Sequence, residues 1–290
     1  MIERVPELII TGILAGGLYG LLAMGLSLQY GVCRVLNITH GEFVMLAAVL
    51  TYTLATLGIN PLVAAAIAGP LMFAIGFLLH ITLFRTLKAR TPSPAVFEGS
   101  ALLVAFGIMY IMLHVGKIGW GGLRLPCYYL SEKVMFAGMT FFKNQIVAFA
   151  ISVAIGVAVY LFLTRSRLGR AIRATAEDSA TAGLMGVNTE LILALAFGLG
   201  ALMAGIAGPL SAMISAPSTA IGFQNTVIAL IVVTLGGLGS VPGSFIGGII
   251  IGIVNLLVLG LWEPVLTVPV YYGILMILLL VRPTGILGKK

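Results

Sequence analysis

The sequence predicts an all-α, polytopic transmembrane helical bundle with about eight to nine membrane segments, some of them broken or re-entrant. Its 290 residues are 60% hydrophobic and 9% charged, with a mean hydropathy of +1.15, whereas a water-soluble domain is about 25% charged. A transmembrane helix needs roughly 20 apolar residues, so the length allows about eight to ten crossings. Strand-like alternation is missing, which argues against a β-barrel.

Apolar stretches separated by polar or Gly/Pro breaks define the predicted membrane segments. They lie at about 8–30, 42–57, 61–84, 98–116, 145–164, 190–214, 225–241, 243–262 and 267–281. The segments 42–57 and 267–281 are short for full crossings, so each is a candidate for a tilted, broken or re-entrant piece. The chain, 1–290, is predicted to form a single transmembrane domain with a polar cytoplasmic segment at 165–188.

Two basic clusters orient these segments. The clusters are Arg85, Lys88 and Arg90, and Arg165, Arg167, Arg170 and Arg173. A charged side chain at the bilayer centre costs about 2.5–3.5 kcal/mol, and Lys and Arg are enriched in cytoplasmic loops. Two apolar segments separate the clusters, so both are expected in the cytoplasm, with the N terminus outside. The outer loop then carries Trp120, Pro126, Tyr128 and Tyr129, typical of a membrane interface.

The composition also excludes several function classes. The net charge of +7 is explained by cytoplasmic loops and membrane lipid, so no nucleic-acid partner is expected. The chain has no G-x-x-x-x-G-K-[ST] loop and no paired His/Asp or Ser/His set in its apolar segments. We therefore expect no enzymatic activity, no metal site and no bound cofactor. Cys33 and Cys127 are interpreted as packing residues.

Polar residues lie in the break between the first two apolar segments. They are Asn37, His40 and Glu42. Ionisable groups at membrane depth are costly and usually functional, so these residues are candidates for a gate or a polar pathway lining. The alternative is a helix N-cap with interhelical hydrogen bonds. If the stretch is helical, Asn37, His40 and Gly41 share one face.

Three further polar residues are pathway candidates. Gln224 and Asn225 open an apolar segment after Pro217 and Gly222, a broken-helix pattern that aims helix termini at a solute. Helix capping explains the same two residues equally well. Asn255 lies within an apolar run and should face protein rather than lipid, where it either lines a pathway or bridges two helices.

The segment 165–188 departs most clearly from membrane composition. Glu177 and Asp178 are predicted to open a short cytoplasmic helix that Gly186 closes. Its apolar residues Leu184, Met185 and Val187 would be exposed, which favours a partner with a matching groove. The alternative is an amphipathic helix that lies on the inner leaflet.

Four stretches of this sequence resemble the permease subunits of branched-chain amino acid ABC importers. They are GLSLQYGVCRVLNITHGEFVMLAA at 25–48, RSRLGRAIRATAEDSATAGLMGVN at 165–188, LGGLGSVPGSFIGGIIIG at 235–252, and VRPTGILG at 281–288. These importers contain two related permeases. The N-x-x-H-G-E pattern from Asn37 to Glu42 is similar to that of the first-named permease of the pair rather than its longer companion. The resemblance extends through nearly the whole chain.

This resemblance implies a multi-pass protein of the bacterial inner membrane that moves hydrophobic amino acids inward by ATP-driven alternating access. The implied partners are a second homologous permease, two cytoplasmic ATP-binding subunits that use the ATP, and a periplasmic substrate-binding protein. The residues that would contact an ATP-binding subunit are Glu177, Asp178, Ala182, Gly183, Leu184, Met185 and Gly186. The alternative is an ion-coupled transporter or a channel for small apolar or amide solutes such as urea, with Glu42 as the buried carboxylate.

Overall fold

The computed structural model describes residues 5–121, 127, 129–136, 138–262, 264–282 and 284–288. Pro126 and Tyr128, two of the four outer-loop residues singled out in the sequence, lie outside this part of the chain. Of the other two, Trp120 bonds to the helix formed by the second apolar segment, and Tyr129 bonds to the loop that follows this helix. Trp120 Nε1 donates to Thr53 Oγ1 at 2.6 Å, and Asn60 Nδ2 donates to Tyr129 Oη at 2.7 Å.

Helices account for most of the chain. They are α1 (Val5–Cys33), α2 (His40–Thr56), α3 (Pro61–Leu79), α4 (Arg85–Arg90), α5 (Pro94–Trp120), α6 (Lys143–Arg165), α7 (Arg167–Glu177), α8 (Ser179–Leu184), α9 (Thr189–Ile214), α10 (Ile221–Gly236), α11 (Val241–Leu261) and α12 (Thr267–Val281). A π-helical turn, His80–Phe84, joins α3 to α4, and a 3-10 turn, Pro264–Leu266, precedes α12. The strands β1 (Lys133–Phe136) and β2 (Met139–Phe142) form an antiparallel hairpin.

The membrane segments form a polytopic bundle, which confirms the predicted fold class. Within the described residues, 7 helices are long and apolar enough to cross a membrane. Helix α10, with 16 residues, is a shorter apolar helix, and α2, with 17 residues, occupies the predicted segment 42–57. An α-helix rises 1.5 Å per residue, so each of these two spans only about 25 Å.

Glycines bring α1 and α11 into direct backbone contact. A Cβ atom on Gly12 would lie 2.6 Å from Ile253 Cα, and one on Gly16 would lie 2.6 Å from Ile249 Cα. At the other end of α1, a Cβ on Gly31 would lie 2.9 Å from Gly239 Cα. The two helices are therefore antiparallel, and small residues let them approach closely enough for van der Waals packing to hold them together in lipid.

Both short helices begin inside the bundle rather than at its surface. Residues 34–39 are not helical, and they turn back from the end of α1 so that Thr39 Oγ1 donates to Ala105 O, near the middle of α5. The stretch 215–220, also non-helical, leads from the C-terminal end of α9 into α10. The prediction of a broken piece at 42–57 is thus confirmed, and α10 is a second one.

Three details differ from the sequence prediction. Helix α10 covers Ile221–Gly236 instead of 225–241, because Gly237 with φ of 105° ends it. The hairpin was not predicted, since its strands have only four residues each. The polar segment forms two helices, α7 and α8, where one was expected.

Candidate functional site

A buried polar network joins the entrance of α2 to two long helices. Gln29 Nε2, on α1, donates to Phe197 O of α9 at 2.9 Å, and its Oε1 accepts from Asn37 Nδ2 at 3.0 Å. Gln29 and His40 have no exposed surface, and Asn37 is 1% exposed. Asn37 Oδ1 also accepts from the Thr39 N–H. Hydrogen bonding in the apolar interior therefore fixes the path of the chain between α1 and α2.

His40 is wedged against the middle of α1. Its Nε2 lies 2.9 Å from Leu22 O, so this nitrogen carries the hydrogen and donates it. Its Nδ1 lies 3.2 Å from Gln29 Oε1. A Cβ on Gly25 would lie 2.9 Å from His40 Cε1, which shows that the ring fills the space beside this glycine. His40 thus orients α2 against α1.

A threonine ties α10 to the same entrance. Thr226 Oγ1 donates to Ile38 O at 2.8 Å and accepts from the Gly41 N–H at 2.9 Å. Gly41 packs so tightly against α10 that a Cβ there would overlap Gly222 O. The first turns of α2 and α10 therefore meet at the depth where both helices begin.

Glu42 is the ionisable residue of this meeting point. It has no exposed surface, and among the described residues neither carboxyl oxygen has a hydrogen-bond partner. A Cβ on Gly222 would overlap the Glu42 carboxyl, so this group lies directly against the first turn of α10. The two ion pairs of the described chain, Arg85–Glu190 and Lys143–Glu132, do not involve it. An ionised carboxylate left in this position would cost several kcal/mol.

The other predicted pathway residues occupy different surroundings. Gln224 is exposed and Asn225 is half-buried; both lie in the first turns of α10, but they do not open it, because Ile221 does. Asn255 is 8% exposed and its Nδ2 donates to Tyr19 Oη at 2.9 Å. This bond bridges α11 and α1, which agrees with the prediction that Asn255 connects two helices.

The sequence-based view of the entrance is partly right. Asn37 precedes α2, so Asn37, His40 and Gly41 do not share a helical face as the helical interpretation supposed. Asn37 and His40 nevertheless converge, because both contact Gln29. Gln29 and Thr226 were missed, although a glutamine near the end of an apolar run of 20 residues or more is itself a signal of burial against protein.

The polar segment 165–188 forms a helical corner. Helix α7 begins after Ser166, whose hydroxyl accepts from the Gly169 N–H, and packs Ile172 into the core. Helix α8 begins after Asp178, whose Oδ1 accepts from the N–H groups of Ala180 and Thr181. Asp178 thus opens α8 as predicted, whereas Glu177 ends α7. Gly186, with φ of +83°, closes the corner as expected.

Hydrogen bonds hold the Asp178 carboxyl ionised. The Thr181 hydroxyl donates to Oδ2 at 2.5 Å, and this bond, with the two backbone N–H groups, keeps the pKa of Asp178 below its usual range. A depressed pKa means that the cap is complete at neutral pH and is lost only as the pH falls through that lowered value. The start of α8 is therefore fixed under physiological conditions.

The tip of this corner presents apolar side chains to the outside of the bundle. Leu184 is 89% exposed and Met185 is 81% exposed, while Ala182 packs inward at 5%. Val187, which was also predicted to be exposed, is half-buried, because the chain turns back and this residue packs against the core. Gly183 and Gly186 are also exposed. The side chains of Leu184 and Met185 therefore form an apolar knob at the end of a short capped helix.

Two cavities flank the base of this corner. One, of about 680 Å³, lies between α1, α6, α7 and the loop that precedes α11, and the other, of about 410 Å³, lies between α1, α7 and the start of α5. Arg34 and Glu177 line both cavities.

Arg34, with φ of 55°, adopts a left-handed conformation that is uncommon for a residue with a side chain. The sequence held no signal for this conformation.

Broken helices that meet inside an apolar bundle define a membrane transport protein. A family model described as the permease component of branched-chain amino acid transport systems matches residues 8–281. The chain therefore belongs to this family.

Individual relatives agree with this assignment. The chain is 31% identical to LivH of Escherichia coli K12, a high-affinity branched-chain amino acid transport system permease protein, over 96% of this chain and 94% of LivH. It is 28% identical to BraD of Pseudomonas aeruginosa, which carries the same description, over 97% and 95%. The ribose import permease RbsC of Escherichia coli is 25% identical over 81% and 72%.

One solved structure has a similar fold. PsaBC from Streptococcus pneumoniae, in complex with Fab, aligns with a TM-score of 0.50 over 98% of this chain and 97% of that chain, at 13% identity. This likeness concerns the fold alone.

The family and the bundle together confirm two predictions from the sequence. The chain is a permease subunit of an ABC transporter, and it is a multi-pass protein of the bacterial inner membrane. The relatives support this function and not the ion-coupled alternative. The relatives are named as permease subunits of transport systems, so further subunits act with proteins of this kind. That this chain has no catalytic activity of its own stays a prediction.

Proposed function

We propose that this permease moves branched-chain amino acids into the cell by ATP-driven alternating access. The relatives that cover nearly the whole chain, LivH and BraD, are described as branched-chain amino acid permeases, and the membrane segments are almost free of charge, as suits an apolar solute. The chain binds no cofactor in this proposal, because the ATP is used by partner subunits.

The proposed assembly has five subunits. This permease pairs with a second, homologous permease; two ATP-binding subunits attach from the cytoplasm; and a periplasmic binding protein delivers the solute. Proteins described as a permease component of a transport system need partners that supply energy and solute, which supports this composition. Solute selectivity then resides largely in the binding protein.

The exposed tip of α8 carries this proposal. Leu184 and Met185 project from the cytoplasmic side of the bundle, next to the second basic cluster. In water, two large apolar side chains with more than four fifths of their surface exposed are unfavourable unless a partner covers them. The contact set for an ATP-binding subunit is Glu177, Asp178, Ala182, Gly183, Leu184, Met185 and Gly186, with Asp178 as the cap that fixes the knob and Ala182 as its inward anchor.

The two broken helices supply the moving parts. Movement of the ATP-binding subunits would be transmitted through α8 and α7 to α1 and α9, which α7 contacts. His40 of α2 donates to Leu22 O of α1, and Gln29 of α1 donates to Phe197 O of α9, so the three helices are linked at this point. Six residues are the proposed gate and pathway residues, and two of them, His40 and Asn255, act by orienting helices. The six are Asn37, His40, Glu42, Gln224, Asn225 and Asn255.

The variants Leu184→Asp and Met185→Asp test the coupling step. A carboxylate introduced into an apolar groove would be buried without a partner, so we expect co-purification of the ATP-binding subunits to fall by at least roughly tenfold. The permease should still insert, because neither side chain packs in the bundle. Affinity purification from membranes, with quantitation of each subunit, measures this.

The matched control is Leu168→Asp on α7, another exposed apolar residue of the cytoplasmic segment. It should leave the subunit ratio near that of the unmodified protein. Normal recovery of the ATP-binding subunits with Leu184→Asp and Met185→Asp would contradict the docking role of α8.

A further inference from the structure

We propose that Glu42 is the ligand for the ammonium group of an amino acid in transit. This inference rests on the proposed function and assigns a residue to its central step. Its basis is a buried carboxyl group with neither a hydrogen bond nor an ion pair in the described chain. Such a group requires a proton or a cation. Lys117, in the last turn of α5, acts on this carboxyl electrostatically but forms no ion pair with it. The ammonium group of an α-amino acid is the cation that the proposed solute brings with it.

Its depth in the bundle matches the position expected of a solute site. Thr39, three residues before Glu42, bonds to Ala105 O near the middle of α5, so the carboxyl lies within about one helical turn of the middle of this membrane segment. Transporters commonly bind their solutes at this depth, where broken helices expose backbone polar groups. Glu42 is the residue of the α2 entrance that the polar network does not use: Gln29, Asn37 and His40 are all hydrogen-bonded.

The facing end of α10 provides the complementary charge. No side chain caps this helix, whose N-cap residue is Ala220. Helix N-termini carry a partial positive charge and free N–H groups, which favour anions. Once the first turn of α10 moves off Glu42, an amino acid with its ammonium group on Glu42 would direct its carboxylate toward the N–H groups of that turn. The site therefore selects a zwitterion over an uncharged amide or a sugar.

Helix α10 also controls access to Glu42. In the conformation described here its first turn covers the carboxyl, with Gly222 in direct contact. The neighbouring residues Phe223 and Gln224 are exposed, and an amide facing lipid at this depth is unfavourable, so this face of α10 borders the pathway or another subunit. The non-helical stretch 215–220 precedes this turn and would move with it. Displacement of the turn would expose Glu42 to the space beside Phe223 and Gln224. Thr226, one turn further on, stays tied to Gly41.

The first experiment compares Glu42→Gln with the control Glu98→Gln in proteoliposomes that contain the complete transporter. Glu98 is exposed near the cytoplasmic start of α5. We expect Glu42→Gln to lower leucine uptake by roughly tenfold or more, because a charge-assisted bond is lost, while ATP hydrolysis stimulated by leucine-loaded binding protein stays within about twofold. Glu42→Asp keeps the charge and should restore part of the uptake. Wild-type uptake with Glu42→Gln would overturn the proposal.

The second experiment uses the unmodified transporter, so it does not depend on folding of a variant. Dicyclohexylcarbodiimide modifies carboxyl groups in apolar surroundings, and mass spectrometry measures the modified fraction of Glu42. Leucine should slow this modification, whereas 4-methyl-2-oxopentanoate, which has the same carbon skeleton without the ammonium group, should not. Equal rates with both compounds would overturn the proposal. If the unmodified transporter takes up no branched-chain amino acid, the proposed function fails before any variant is compared.

Discussion

Replacing Gly16 by leucine is expected to prevent stable folding of the bundle. A Cβ at this position would lie 2.6 Å from Ile249 Cα and 2.8 Å from Gly248 O. Both obstacles are backbone atoms of α11, which cannot move aside without separating the two helices. Overpacking a helix contact usually lowers the free energy of unfolding by about 1–3 kcal/mol. Because this clash is with backbone atoms, we expect a loss at or above the upper end of that range. Most of the purified protein should aggregate on size-exclusion chromatography.

The matched control is Gly107→Leu on α5. A Cβ there would meet nothing within 4 Å, and leucine favours a helix more than glycine does by roughly 0.5–1 kcal/mol. This variant should elute as a single species with an apparent melting temperature equal to or above that of the unmodified protein. If Gly16→Leu and Gly107→Leu behave alike, the close crossing of α1 and α11 is not the basis of the fold.

Replacing Gln29 by leucine is expected to loosen the entrance of α2. The amide of Asn37 would lose its acceptor in a site with almost no exposed surface, and the His40 ring would lose a polar neighbour. A buried unsatisfied donor costs about 1–3 kcal/mol. We therefore expect a lower apparent melting temperature, faster hydrogen exchange of the backbone at 34–40 and a loss of most transport activity, since Asn37, ahead of α2, is no longer tied through Gln29 to α9.

The same substitution at Gln224 is the control for stability. Gln224 is exposed on α10, so its replacement by leucine removes no buried bond and should leave the melting temperature unchanged. Unchanged exchange at 34–40 in the Gln29→Leu protein would contradict the structural role of the network.

The bundle could be predicted from the sequence because transfer into lipid depends on composition and length. Apolar runs of about 20 residues and two basic clusters are local properties, and they correctly placed most helices. The ends of α10 could not be predicted in the same way. The ends of this helix depend on the conformation of Gly237 and on the packing of Gly222 against α2, and a hydropathy pattern carries no information about either.

The candidate site was predicted in residue type but not in geometry. Asn37, His40 and Glu42 attract attention because polar groups are rare at membrane depth. Their different surroundings depend on Gln29, Thr226 and Gly222, which lie 8 to 188 residues away in the chain. The corner between α7 and α8 was likewise seen as one helix, since an N-cap at Asp178 does not by itself reveal that a separate helix precedes it.

Uptake of leucine by proteoliposomes that contain this permease, its homologous partner and the two ATP-binding subunits tests the central claim most directly. The proposed mechanism predicts uptake that requires both ATP and the leucine-loaded binding protein and that persists when the proton gradient is dissipated. Uptake that continues after the ATP-binding subunits are omitted, and that follows an imposed proton gradient instead, would contradict it.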